Sequence, residues 1–190
     1  MRFLRTLIFA TASLLLVVSA WGQDPNVKQF AKDGLSFDYP AKWQIADKSS
    51  GQMQFLELAQ GDVVIRIRSP REWLKTPEKE AHARKLFQDQ YVDEFSNQLE
   101  QAGMHPKRSA VTTQIGGSAA EGVRVQAVLG SEPGEAAIFW NTVGERLVVL
   151  TFFGPDKARK KATPTWDIIR NSLKIEPPQP KPTPSPKGKP

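Results

Sequence analysis

Apolar and polar side chains alternate along the first half of the chain. Over residues 34–39, Leu35, Phe37 and Tyr39 share one face, Ser36 and Asp38 take the other, and Pro40 ends the run. Trp43 and Ile45 form a short second run. A third covers 52–59, with Phe55 facing away from Leu56 and Leu58. Gly61-Asp62 turns the chain into 63–68, where Val63, Ile65 and Ile67 alternate with Val64, Arg66 and Arg68. A period of two broken by short polar turns predicts an antiparallel meander.

The period then lengthens. Ala83, Phe87, Tyr91, Phe95 and Leu99 recur every four residues, with Leu86, Val92 and Ala102 alongside. Thr76 suits an N-cap, Pro77 the first helical position, Glu78 and Glu80 the positive helix end, and Gly103 a C-terminal stop. One amphipathic helix over 77–102 follows, its aromatic stripe facing a core.

Strands resume over 108–115 and 119–129 around Gly116-Gly117, a hairpin signal. A second turn is expected over 131–134. Another hairpin, 136–142 and 146–153, closes around Gly144. Residues 147–153 read LVVLTFF, apolar on both faces, which predicts a central strand covered on both sides. A last helix is expected to begin at Thr163 as cap and Pro164, with Trp166, Ile169 and Leu173 inward. The order strands, long helix, strands, helix predicts an α+β fold: an antiparallel sheet with helices on both faces, a three-layer sandwich.

Two short motifs give this a family likeness. GLSFDYPAKW, residues 34–43, resembles the F-x-x-P-x-x-W entrance of PsbP-like and DcrB-like exported domains, and TWDIIRNSLKI, residues 165–175, is similar to the I-x-x-S-[LF] helix that ends them. The likeness covers about residues 29–176. It implies the PsbP-like fold. Members of that fold include an extrinsic subunit of photosystem II, periplasmic bacterial proteins and a small-GTPase-binding factor, which share binding or scaffolding rather than a catalytic centre. No functional residue carries over. Phe37, Tyr39 and Trp43 read as one edge of the core and Trp166 as its lid.

The chain ends add an address. Arg2 and Arg5 precede an apolar run of 12 residues, Leu7 to Val18, and small residues follow, giving cuts after Gly22 or Ala20. Residues 1–22 therefore read as a secretory signal peptide, too short to span a bilayer. Residues 23–176 are expected to form one globular PsbP-like domain. Residues 177–190 hold 7 prolines and three lysines and no large apolar side chain, which predicts a Pro-rich basic disordered tail, a spacer or a contact arm. The expected location is periplasmic or extracellular, with no transmembrane span once the signal is removed. The 190 residues contain no Cys, which excludes disulfides and thiol chemistry.

The net charge of +6 lies in the ends: residues 23–176 carry 21 basic and 20 acidic residues. A nucleic-acid binder needs its excess on the folded domain, so none is expected. Catalytic chemistry is poorly provided. No GxSxG, GxGxxG or GxxxxGK occurs, Ser118 lacks a base, and His82 and His105 share no element. Glu78 and His82 stand four apart without a local third ligand, and Asp89 and Asp93 read as a solvated face. No catalytic residue, metal or cofactor is expected. Two basic clusters remain: Arg66, Arg68 and Arg71, and Lys157, Arg159, Lys160 and Lys161. They either protect an edge or recognise an acidic or phosphate-bearing partner. The leading expectation is an exported, non-catalytic binding or scaffold protein whose partner is an envelope protein or an anionic envelope surface. Alternatives are an adaptor tethered by the tail and a hydrolase with an unrecognised site.

Overall fold

The last apolar run lies at the centre of the fold, and everything else is arranged around it. In the computed structural model, which describes residues 26–176, the run is a strand with neighbours on both sides. The signal-peptide and tail readings lie outside the described residues, as does the side chain of Phe87.

The strands are β1 (Val27–Lys32), β2 (Leu35–Pro40), β3 (Gln44–Asp47), β4 (Met53–Gln60) and β5 (Val63–Pro70), then β6 (Lys107–Ile115), β7 (Ser118–Leu129), β8 (Glu132–Val143), β9 (Arg146–Pro155) and β10 (Lys174–Ile175). The helices are α1 (Pro77–Arg84), α2 (Tyr91–Gln101) and α3 (Asp156–Ser172). A π-helical turn, Lys85–Gln90, joins α1 to α2. Seven strands form one antiparallel sheet in the order β3-β4-β5-β9-β8-β7-β6. β9 thus joins the N-terminal meander to the C-terminal one, with Arg66 opposite Thr151.

Alternation along β9 feeds two cores. Leu147 and Val149 pack with Tyr91, Val92, Phe95 and Leu99 beneath the long helix. Val148, Leu150 and Phe152 pack on the other face with Trp166 and Ile169 of α3 and with Leu35 and Phe37 of β2. The Trp166 indole stacks on Phe152 at 5.1 Å. The α+β layering read from the sequence, helices on both faces of an antiparallel sheet, is the layering observed.

Several local expectations are corrected. A second sheet, β1-β2-β10, lies beside α3, where a helix alone was expected. Its first strand, VKQFAK, has no clean alternation. It forms because Asp33 and Gly34, with φ of 49° and 81°, make the tight turn that folds it back on β2. Gly34 is obligatory twice over, since a Cβ there would sit 2.3 Å from the Glu176 carbonyl oxygen. β8 begins at Glu132, so the turn before it is Gly130-Ser131 alone, with Leu129 paired to Glu132. α3 begins at Asp156 and carries Pro164 inside it. The helix reads through because Pro164 forfeits a single backbone bond, and Thr163 Oγ1 donates to the Arg159 carbonyl at 3.2 Å next to the gap. The basic run Lys157–Lys161 is therefore helical, not a preceding loop. In the long helix, Leu86 is 36% exposed and Gln88 only 9%. The π-helical turn adds a residue to one turn and rotates the apolar stripe there. Ala102, expected alongside the stripe, is exposed.

Candidate partner-binding site

α1 is weakly embedded. Its one buried residue is Ala83, and four of its eight residues, Glu78, Lys79, Glu80 and Arg84, are charged. Thr76 caps it, accepting from the Lys79 N–H at 3.4 Å, and Pro77 opens it. The segment before it is pinned by the Leu74 N–H, which donates to the Glu145 carbonyl at 2.7 Å. The helix therefore stands off the sheet edge and leaves a cleft of about 770 Å³ between itself, the β3–β4 loop and the end of β5. Met53, Pro70, Leu74, Ala83 and Leu86 supply its apolar lining, and Arg71, Glu72, Glu78, Lys79 and His82 its polar one.

Arg71 and Lys79, the basic side chains of this cleft other than His82, already have acidic partners. Lys79 Nζ lies 2.7 Å from Glu72 Oε1, and Arg71 Nη1 lies 2.8 Å from Asp33 Oδ2. Lys79 holds the Glu72 carboxyl below its ordinary range, with its hydrogen bond as the main cause. Glu78 is held down by its own backbone N–H and by the Thr76 hydroxyl. Glu78 and His82 both face the cleft, but among the described residues no set of three His, Cys, Asp or Glu comes together to hold a metal ion.

The two basic clusters lie on opposite faces of the large sheet. Arg66 Nε donates to Glu57 Oε2 at 3.0 Å, and Lys48 Nζ reaches the other oxygen of that carboxylate at 2.9 Å. Arg68 lies between two rings, its Cζ 4.5 Å from the Phe55 centroid and 4.4 Å from that of Tyr91. Such stacking offsets the cost of removing a guanidinium from water. Arg71 also donates from Nε to the Ser50 carbonyl at 3.1 Å. Of these three, Arg71 alone lines the cleft. On the other face, Arg159 lies over Phe152 at 4.5 Å and pairs with Glu135, which Arg124 also approaches at 3.3 Å. Burial pushes the Arg159 guanidinium pKa down, and Glu135 opposes this. Arg159 and Lys160 line a smaller hollow of about 270 Å³. Lys157, Lys160 and Lys161 are all exposed along α3.

Sequence reasoning missed Arg146, the largest fully buried side chain. Its Nε donates to the Pro70 carbonyl at 3.0 Å, Nη1 to the Asp33 carbonyl at 3.2 Å, and Nη2 to Gln54 Oε1 at 2.6 Å. Gln54 in turn donates to the Lys32 carbonyl at 2.8 Å. Burial is the main cause that lowers the Arg146 pKa, followed by neighbouring Arg71. This pin fixes the β1–β2 turn and the end of β5, and so the wall of the cleft. A single arginine opening an otherwise apolar strand is the signal that could have found it.

No family model matches the chain, and no curated protein matches it at a significant level. Solved structures do. A cyanobacterial PsbP from Synechocystis is 14% identical with a TM-score of 0.49, over 80% of this chain and 93% of that one. A crystal structure from Bacteroides thetaiotaomicron is 11% identical with a TM-score of 0.50, over 80% of this chain and 49% of that one. LpqN of Mycobacterium tuberculosis, described as involved in cell envelope biogenesis, is 12% identical with a TM-score of 0.42, over 84% of this chain and 97% of that one. At such identities each likeness is one of fold alone.

Proposed function

We propose that the protein is an exported, non-catalytic binding or scaffold protein of the cell envelope, and that its partner engages the cleft beside α1. The carrying observation is the cleft itself, an open volume of about 770 Å³ with an exposed leucine, Leu86, on its helical wall. Two of its carboxylates, Glu72 and Glu78, are held below the ordinary carboxylate range and so stay charged as binding groups. Among the described residues no helix is long and apolar enough to cross a membrane. Export rests on the pattern of residues 1–22. In this reading Arg71 is the member of the first basic cluster that would touch a partner in this cleft, and Arg159 and Lys160 are the members of the second that would do so at their own hollow.

Two measurements test this. Cell fractionation with intact-mass analysis should find the protein outside the cytoplasm and cut after Gly22 or Ala20. A photo-crosslinking side chain at position 86 should capture one recurrent envelope component, and Leu86→Glu should abolish recovery of that component. Cytoplasmic protein retaining Met1, or crosslinking no different from a control position on α3, would overturn the reading. A chain ending at Glu176 separates cleft from tail: loss of capture in that variant would favour the tethering adaptor instead.

A further inference from the structure

β6 is the outer strand of the seven-stranded sheet. It pairs with β7 without a break from Lys107 to Ile115. The hairpin between them has two residues, Gly116 and Gly117, so Ile115 and Ser118 form a pair that exchanges both backbone hydrogen bonds. Alternation then directs the backbone of Ser109, Val111 and Thr113 toward β7, and that of Arg108, Ala110, Thr112 and Gln114 away from it. Gln114 shows the outward direction, since its carbonyl accepts from Arg170 Nη1 at 3.1 Å. Among the described residues nothing takes up the outward N–H and C=O groups of Arg108, Ala110 and Thr112.

Natural sheets guard such edges with proline, charge or a covering segment. Here the guards stand only at the ends. Pro106, Lys107 and Arg108 mark one end and Arg170 the other. The stretch between them is small and β-branched, and Ala110 and Thr112 are exposed.

We propose that this edge pairs with the same edge of a second copy of the chain, antiparallel, about a two-fold axis at Ala110. The register follows from the free groups. Centred on Ala110, Arg108 meets Thr112 of the second copy, and all three outward residues of each strand are used. Centred on Arg108, two guanidiniums would face each other, and Ala110 would meet Pro106, which has no N–H. Centred on Thr112, the ladder would need the Gln114 carbonyl that Arg170 already holds. Charge favours the first register as well. Thr112 is paired on its inner side with Glu121, which is exposed and forms no ion pair among the described residues. Arg108 of the second copy, held by Asp93 and Ser96 of its own chain, arrives beside a short neutral side chain, so no like charges face each other in this register. The pairing is independent of what fills the α1 cleft.

The test uses the chain as purified from cells. Sedimentation velocity over a concentration series should show a reversible dimer that Ala110→Pro abolishes. That proline removes only an outward N–H, which an edge strand tolerates, and an unchanged circular-dichroism spectrum checks the fold. Since the chain has no cysteine, Ala110→Cys should crosslink to itself under mild oxidation, because a hydrogen-bonded pair lies about 5.5 Å apart at Cα. Thr113→Cys, placed opposite Lys107 of the second copy, should not. The proposal fails if the chain stays monomeric at near-millimolar concentration, if folded Ala110→Pro dimerises as before, or if the two cysteine variants crosslink equally. Should Ala110→Pro unfold, the cysteine pair alone decides. Binding of a foreign extended peptide to a chain that does not self-associate would also overturn it.

Discussion

Arg146 is the residue on which most of the buried polar chemistry depends. Its guanidinium meets acceptors from β1–β2, β4 and β5 at once, and among the described residues no carboxylate is hydrogen-bonded to it. Arg146→Met keeps the apolar stem and strands those acceptors. Leaving a buried acceptor unmet costs about 1–3 kcal/mol each, so a loss of at least about 3 kcal/mol in denaturant unfolding is expected. Arg146→Lys should recover little, because an ammonium lacks the planar fork. Asp47 gives a second test. Lys32 Nζ lies 2.6 Å from Asp47 Oδ2, and that hydrogen bond, with further ones from Ser49, lowers the carboxyl from 3.8 to about 2. A carboxylate lowered in the folded state stabilises the fold above its unfolded value, and that contribution fades as the pH falls from about 4 to about 2. The group is largely exposed, so the effect on stability is small. NMR titration should nevertheless place its midpoint near 2 and move it upward in Lys32→Met.

At the scale of elements, the long helix and α3 make opposite predictions. Phe95 meets Phe153 edge-on at 5.6 Å and is 7% exposed, so Phe95→Ala should cost roughly 3–5 kcal/mol by chemical denaturation. Pro164 lies within α3, and Pro164→Ala restores a backbone bond. It should raise stability by up to about 3 kcal/mol, seen as a higher thermal midpoint. These two helices also show what a sequence discloses. The stripe Tyr91, Phe95 and Leu99 was legible because its spacing is set by burial, and β9 because both its faces are apolar. The start of α3 was not, since Pro164 imitates an N-terminus that the packing of Ala158, Arg159 and Ala162 ahead of it overrides. β1 was hidden because a strand held mainly by a turn and by pairing needs little alternation, although Asp33-Gly34 announced the turn. The cleft was illegible for a different reason. It is a space left by what α1 fails to bury, and Leu86 faces it only because the π-helical turn rotates the stripe. The basic clusters were visible as charge, but their pairing with Glu57, Asp33 and Glu135 comes from strands and helices far apart in sequence.

For the whole molecule, the two halves of the large sheet meet only along β5 and β9. A substitution on that seam should therefore act on both cores. Thr151 is the polar member that β9 contributes there, its Oγ1 3.1 Å from the Tyr91 hydroxyl. Thr151→Val leaves that hydroxyl without its buried partner and should cost about 1–3 kcal/mol, while Tyr91→Phe in the same background should restore part of the loss.

The position of β9 also bears on the order of events as the chain is made. β5 ends at Pro70, and its outer neighbour does not exist until Arg146 to Pro155 have been synthesised. The last strand, β10, then pairs with β2, near the opposite end of the described chain. Contacts of such long sequence separation are slow to form, because the intervening loop must be closed before they repay it. A nascent chain halted before Arg146 has neither core complete. It should remain open to protease along its whole length and become resistant in one step once α3 has emerged. Such a chain stays threadable until Arg146 to Ser172 have been made, which is the state that the export proposed above would require.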